Sequence, residues 1–325
     1  MTTLSIVVPV YNSEHSLPEL ISVLAETLPT LAERYEVLLI NDGSRDRSWA
    51  IIEALARDTP WVRGFDLMRN YGQHNALLCG IRAARYELIA TLDDDLQHPP
   101  AELRRLLDKL NEGYDVVYGT PQKQQHGFWR DLASEMTKLA LQSSMGVDVA
   151  RNVSAFRLFR APLREGFVNY RGSFISIDVL LTWSTTRFAA LPVRHDERKF
   201  GASNYNFRKL VTHALNMITG FSVLPLQLAS LIGFAFTLFG FLVFVYVVGR
   251  YLIQGGIVPG FPFLASIIAV FSGAQLFALG IMGEYLARMH FRLMDRPTYL
   301  VRSEVSEPTA SPETPASETS PPLVG

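Results

Sequence analysis

Between Lys209 and Arg250 the chain carries no Asp, Glu, Lys or Arg, and a second uncharged run, Phe261–Gly283, follows the loop Gln254–Gly260. Leu228–Gly249 is 22 residues long and Phe261–Gly283 is 23. As a helix, each is long enough to cross a hydrocarbon core of about 30 Å. Two buried helices of a soluble core are the alternative, but such runs in succession are rare in soluble domains. The pattern therefore predicts a transmembrane hairpin with spans at about 228–249 and 261–283. Mean hydropathy, +0.15 over the chain, agrees. Arg208 and Lys209 precede the first span and Arg288, Arg292 and Arg296 follow the second, whereas only Arg250 borders the loop. The positive-inside rule then puts both termini in the cytoplasm. Ala229/Gly233 and Ala274/Ala278 are small-xxx-small pairs suited to close helix approach.

Upstream of the spans, Phe207, Leu210, Val211, Leu215, Ile218 and Phe221 recur at helical spacing with Arg208 and Lys209 off the stripe. This predicts an amphipathic helix over 205–222, lying in the membrane interface or packed on the soluble domain. Downstream, 296–325 is read as a cytoplasmic segment that is disordered from about 303. Its prolines stand among Ser, Thr and Glu. The acids Glu304, Glu307, Glu313 and Glu318 belong to that tail. Setting those four acids aside from the chain's net charge of −1 leaves residues 1–302 at +3.

The first 204 residues read as one cytoplasmic domain. Strand-like runs at Leu4–Val10, Glu36–Asn41, Val62–Leu67, Glu87–Leu92 and Asp115–Tyr118 alternate with helical patterns at about 16–33, 46–58, 72–85 and 100–112. Ile6-Val7-Val8 and Val37-Leu38-Leu39-Ile40 lack polar alternation, as strands covered on both faces do. Alternation of this kind predicts an α/β fold built on a mostly parallel sheet. Ligands in such sheets sit beyond the strands' carboxyl ends, where this sequence places Asp42 and Asp93-Asp94-Asp95. No basic region precedes the first strand and Pro9 interrupts its apolar run, so the N-terminus reads as cytosolic rather than as a secretory signal. A single cysteine, Cys79, excludes an intrachain disulfide and reads as packing. The near-neutral charge argues against a nucleic-acid partner.

Two segments carry the candidate chemistry. In Ala90-Thr-Leu-Asp93-Asp94-Asp95-Leu-Gln97-His98-Pro99-Pro100, adjacent carboxylates repel one another unless a cation neutralises them. Extended backbone would put Asp93 and Asp95 on one face, with the Gln97 carbonyl beside them and Asp94 turned toward solvent. Asp95 and Gln97 then offer hard oxygens to Mg²⁺ or Mn²⁺, an ion that takes further ligands from substrate phosphates. In Asn41-Asp42-Gly43-Ser44-Arg45-Asp46, Asp42 can accept from a nucleotide base or ribose, Gly43 allows close approach, and Ser44 or Asp46 can cap the next helix. Neither G-x-G-x-x-G after a strand nor G-x-x-x-x-G-K-[ST] occurs, which argues against NAD-type and P-loop sites. His74 and His98 have no second histidine or cysteine at zinc-ligand spacing.

Taken in order, Val7-Val8-Pro9-Val10-Tyr11-Asn12, Asn41-Asp42-Gly43-Ser44, Leu92-Asp93-Asp94-Asp95-Leu96-Gln97-His98-Pro99 and Arg198-Lys-Phe-Gly201-Ala-Ser203 resemble the family 2 glycosyltransferases of GT-A fold. Within them, the chain resembles the polyprenyl-phosphate branch, which includes dolichyl-phosphate mannose synthase and the bacterial undecaprenyl-phosphate glucosyl- and aminoarabinose transferases. Arg69-Asn70-Tyr71-Gly72-Gln73-His74 and Gly283-Glu284-Tyr285-Leu286-Ala287-Arg288 look most like the last two. The likeness covers about residues 4–302.

The resemblance implies an enzyme of the cell envelope that moves a sugar from a nucleotide donor to undecaprenyl or another polyprenyl phosphate at the cytoplasmic membrane. It implies inversion of the anomeric centre, Mg²⁺ or Mn²⁺, and a homo-oligomer, with a tetramer suggested. Pro9, Tyr11 and Asp42 match donor-nucleotide positions, Asp93 the donor-side acid, and Asp95 and Gln97 the metal ligands. Arg130 and Ser134, with Lys123, match residues that hold the lipid phosphate, and Arg198 a cation that meets donor or acceptor phosphates. The leading donor is UDP-glucose, followed by a UDP-linked formamido-aminoarabinose, with GDP-mannose a further alternative. Ser13 stands where relatives often carry Glu, and Asn204 where they carry Lys. A processive synthase is expected to show Q-x-x-R-W and more spans; a catalytically silent membrane scaffold is the rival from another class.

Overall fold

The structure is a computed structural model that describes residues 2–121, 153–172, 175–196, 224–254 and 260–306. Of the sequence expectations, Lys123, Arg130, Ser134, Arg198, Asn204 and the amphipathic helix over 205–222 lie outside the described residues.

Four parallel strands form the centre: β1 (Thr3–Val10), β2 (Arg34–Asn41), β3 (Val62–Leu67) and β4 (Leu88–Thr91). Each is followed by a helix, α1 (Leu17–Leu31), α2 (Ser48–Asp58), α3 (Gln73–Ala83) and α4 (Leu103–Asn111), the last entered through a short 3-10 turn. α1 shows why. Pro18 sits in its first turn, where no intrahelical amide is needed. Leu17, Leu20, Ile21, Leu24, Leu28 and Leu31 recur at the 3–4 spacing that buries one stripe. Ile6, Val7 and Val8 are fully buried because α1 and its neighbours cover one face of the sheet and α3 the other.

β5 (Val116–Pro121), β6 (Arg157–Arg160) and β7 (Phe188–Val193) complete one side, and β8 (Val301–Val305) the other. The order is β7-β5-β6-β4-β1-β2-β3-β8. β6 runs antiparallel to β4 and β5, and β8 antiparallel to β3. Helix α5 (Ile177–Thr182) packs beside α3. The chain runs outward from β1 to β3, then returns to place β4 on β1's other side. The carboxyl ends of β1 and β4 are thus a topological switch point, where open α/β sheets bind ligands.

β8 corrects one expectation. The chain is in the sheet through Val305, past the point where disorder was expected to begin, and Glu304 is a sheet residue whose carboxylate meets Arg63 Nη2 at 2.9 Å. Composition read this strand as tail because its charged residues find their partners on β3.

Beyond the sheet, α6 (Leu224–Gln254) and α7 (Phe261–Leu293) pack on each other. Among the described residues, the stretches long and apolar enough to cross a membrane are Pro225–Arg250 and Val270–Phe291. Helix α7 runs on past Gly283 through Glu284 and Arg288, which pair at 2.7 Å one turn apart. The helices meet through Phe236 and Phe271, and Phe271 fills the space a side chain would occupy at Gly240, 3.1 Å away. At Gly233, also expected to allow close approach, no described residue lies within 4 Å of that position.

Candidate active site

Three loops converge at the switch point: 11–16 after β1, 42–47 after β2 and 93–99 after β4. Pro9 is buried near the end of β1, and Tyr11 is the exposed residue just beyond it. Asn12 has φ of 55°, a left-handed conformation that Asn tolerates better than other residues with a Cβ. Its amide donates to Ser44 Oγ (3.0 Å) and its side-chain oxygen accepts from the Arg45 amide (2.8 Å), tying the first two loops together. Asp46 accepts from the Ser48 amide (3.0 Å) at the start of α2 and from the Glu14 amide (3.1 Å). It therefore closes the turn that leads into α2, whose N-cap is Arg47, and makes a second tie to the first loop.

Asp42 is nearly inaccessible. Oδ1 accepts from the Tyr71 amide (2.7 Å) and Oδ2 from the Gly72 amide (2.8 Å). Burial raises its pKa above the usual carboxylate range, while these two amides pull the other way. The carboxylate thus anchors the 69–72 loop beside the position expected for the nucleotide. Gly43 makes that loop's approach possible. At φ of +65°, a Cβ there would lie 2.5 Å from the Asn70 nitrogen. The close approach read from the sequence is therefore filled, at least in part, by the chain's own backbone.

β4 ends at Thr91, so Asp94 and Asp95 occupy a turn, and the alternation of faces assumed for an extended segment does not hold. Leu96 has φ of 59°. For a bulky residue this costs on the order of 1–3 kcal/mol, and such strain concentrates at functional sites. Asp93 Oδ1 accepts from Gln73 Nε2 (2.7 Å). Asp95 is buried and its Oδ1 accepts from the Gln97 amide (3.1 Å). The Gln97 backbone carbonyl accepts from the Asp196 amide (2.8 Å), which ties the acidic turn to the segment after β7.

Two readings need correction here. Asp94 is not simply turned to solvent: it is half-buried and accepts a hydrogen bond from the Ser13 hydroxyl and another from the Tyr11 backbone. Burial pushes its pKa up to about 6 and the Asp95 charge adds to this, against those two hydrogen bonds. Ser13, given no fixed role from the sequence, is the partner that binds the acidic turn to the β1 loop. Its amide also donates to Ser48 Oγ (2.8 Å).

His98 stacks on Phe156 (5.3 Å) and meets His195 edge-on (4.9 Å). Burial, then the neighbouring His195, pushes its pKa down to about 4, so it is neutral at pH 7. Among the described residues, no group of three or more His, Cys, Asp or Glu is placed to hold an ion by itself. The site therefore brings together Pro9, Tyr11, Asp42, Asp93, Asp95 and Gln97 of the expected set. The reading left Ser44 to helix capping, whereas it holds the Asn12 amide, and it missed Ser13, Gln73 and the 69–72 backbone. The Arg69–His74 run was the available signal.

Residues 5–167 match the family described as Glycosyl transferase family 2. An undecaprenyl-phosphate 4-deoxy-4-formamido-L-arabinose transferase of Klebsiella pneumoniae (strain 342) is 36% identical over 313 residues, covering 95% of this chain and 96% of that protein. A protein of the same name from Shewanella sediminis (strain HAW-EB3) is 37% identical over 302 residues, covering 92% and 91%. Among solved structures, glucosyl-3-phosphoglycerate synthase from Mycobacterium tuberculosis, in complex with Mn²⁺, uridine diphosphate and phosphoglyceric acid, superposes with a TM-score of 0.50. It is 16% identical and covers 67% of this chain and 76% of its own, a likeness of fold. That fold is GT-A, and with relatives alike almost end to end, the chain belongs to glycosyl transferase family 2.

Proposed function

We propose that this protein transfers a sugar from a nucleotide-sugar donor to undecaprenyl or another polyprenyl phosphate at the cytoplasmic face of the membrane, inverting the anomeric centre. The observation that carries this is the near full-length likeness to transferases named for undecaprenyl phosphate, at 36–37% identity. The two apolar helices support it, since they offer a place beside a lipid acceptor. Both termini are assigned to the cytoplasm on the flanking arginines.

A phosphate monoester has a second pKa of about 6, so the acceptor is largely a dianion at neutral pH and no side-chain base is required. The obstacle is bringing two anions together. Asp95 and a carbonyl oxygen of Gln97, whose amide already donates to Asp95, would offer two hard oxygens beside the half-buried Asp94, a donor set that fits Mg²⁺ or Mn²⁺ completed by donor phosphates and water. Bound there, the ion supplies Lewis-acid neutralisation of the leaving diphosphate. Tyr11 and the Asp42-anchored loop line the nucleotide's side of the switch point, and Asp93, held by Gln73, faces the donor. Lys123, Arg130, Ser134 and Arg198 are assigned to the phosphates of the acceptor or donor on the family resemblance.

We rank a donor of 4-deoxy-4-formamido-L-arabinose, the sugar in the relatives' names, ahead of UDP-glucose, and assign UDP as its carrier on the family resemblance. The test uses the full chain in detergent with undecaprenyl phosphate and Mn²⁺ or Mg²⁺. UDP-linked formamido-arabinose, UDP-glucose, UDP-GlcNAc, UDP-galactose and GDP-mannose are offered separately, and glycolipid is detected by mass. One donor giving a product is the expected result. No product from any of the five, with the lipid accessible, overturns the reading in favour of a non-catalytic membrane scaffold.

A further inference from the structure

We propose that Arg302, on the strand that follows the hairpin, is a positioning residue for the donor-side loops and acts through Asp66 and Asn41. It rests on the reading that the face beside Asp42 receives the nucleotide.

The pairing of β8 with β3 is irregular at one place. Asp66 pairs with Ser303 and Leu67 with Val301, so Arg302 is the extra residue on its strand. Such irregularities re-aim a side chain. Here the guanidinium reaches two points on β3 and its exit. Nη1 donates to Asp66 Oδ2 (3.0 Å) and Nη2 to the Met68 carbonyl (2.9 Å).

From these two points, two routes lead to the site. Asp66 Oδ1 accepts from Asn41 Nδ2 (2.7 Å), and Asn41 Oδ1 accepts from the Ser44 amide (3.3 Å). Ser44 in turn holds the Asn12 amide. By the second route, Met68 leads directly into the 69–72 loop, whose far end is fixed by Asp42. Both donor-side loops are therefore braced by one guanidinium located 236 positions from Asp66 along the chain.

The role is separable from holding β8 in place. The strand keeps its ladder to β3 and a second ion pair, Glu304 to the buried Arg63 (2.9 Å), itself paired with buried Glu36 (2.9 Å). Asp66 is 4% exposed against 58% for Arg302. Loss of the arginine would leave a buried carboxylate with its charged partner gone, and the loops it orders would loosen.

The test measures amide hydrogen exchange and UDP affinity on the full chain in detergent. In Arg302→Ala, amides over 41–46 and 68–72 should exchange faster, while β1 and β4 stay unchanged. UDP should bind more weakly, by about 2- to 30-fold, the range expected for residues along such a network. Arg302→Lys should restore part of both. Glu304→Ala should speed exchange in β8 and leave the Ser44 amide as it was. Unchanged exchange in both loops overturns the proposal. Should Arg302→Ala exchange faster throughout, Asp66→Asn carries the same two readouts with the side-chain volume kept; a loop-confined change supports the proposal and unchanged loops overturn it. Loop-confined exchange together with no UDP binding by the unsubstituted protein leaves the bracing role standing and removes the donor reading.

Discussion

The sheet and the hairpin are built from similar apolar residues, and they dispose of them in opposite ways. Ile6, Val7 and Val8 in β1 are fully buried, whereas Phe241, Leu242 and Phe244 in α6 are 58–63% exposed. Water drives the first arrangement, because burial of each such side chain is favourable by about 1.5–3 kcal/mol. Nothing in water would sustain the second, since the exposed rings and branches run along helices long enough to cross a bilayer. The difference teaches where each part's stability comes from: the sheet supplies its own interior, and the hairpin takes lipid as its surroundings. Chemistry sits with the part that can hold polar groups in fixed positions.

The sharpest division between the two should come from Asp95→Ala. Sugar transfer to undecaprenyl phosphate should fall by about three orders of magnitude, equivalent to about 4 kcal/mol of lost charge stabilisation. The protein should still fractionate with membranes. Activity above a tenth of the original would break the assignment of Asp95. Next in size is one substitution made in both regions. Leu38→Ala, in a fully buried strand position, should cost about 2–5 kcal/mol in denaturant unfolding of the sheet domain. Leu242→Ala, on the hairpin's exposed side, should cost less than about 1 kcal/mol, because lipid tails are as apolar as leucine. Equal costs at the two positions would mean that the hairpin's outer face is packed against protein. Gly43→Ala follows: the left-handed backbone and the 2.5 Å approach to the Asn70 nitrogen should together cost about 1–3 kcal/mol. Donor KM should rise by more than acceptor KM, read from initial rates.

The same contrast explains what could be read from the sequence. β1 to β4 were legible because parallel strands covered on both faces become continuous apolar runs, and α1 to α4 because their buried stripes repeat at helical spacing. β6 was not legible. It is four residues, Arg157-Leu-Phe-Arg160, and Arg157 is buried only because Asp178 and Tyr118 lie against it. β8 was hidden for the same reason: Val-Arg-Ser-Glu-Val reads as a polar tail until Arg63 and Asp66 stand opposite it. At the site, the acids were legible as a cluster that demands neutralisation. The hydrogen bonds from Ser13 to Asp94, 81 positions apart, and from the 71–72 amides to Asp42 were not, because loop-to-loop partners exist only once the strands are ordered.

Cys79 gives the smallest effect and the cleanest check on the sheet's interior. It lies on α3, which packs on β1 and β2, at 2% exposure. Burial pushes its thiol up to about 12, against the opposing influence of the Tyr299 hydrogen bond and the Arg82 charge. Thiolate is the reactive form, so iodoacetamide at pH 8 should modify the folded protein only as fast as that region opens, and urea should abolish the protection. The linkage has a definite sign. The folded thiol keeps its proton while the unfolded one loses it near 9, so this group's contribution to stability is complete below about pH 9 and declines as pH rises toward 12. Cys79→Ala should flatten that decline in a thermal-unfolding series from pH 8 to about 10, while leaving the Leu242 comparison unaffected. Rapid alkylation of the folded chain would mean that α3 does not seal this face of the sheet, and the buried half of the contrast with the hairpin would then fail where it is most directly measurable.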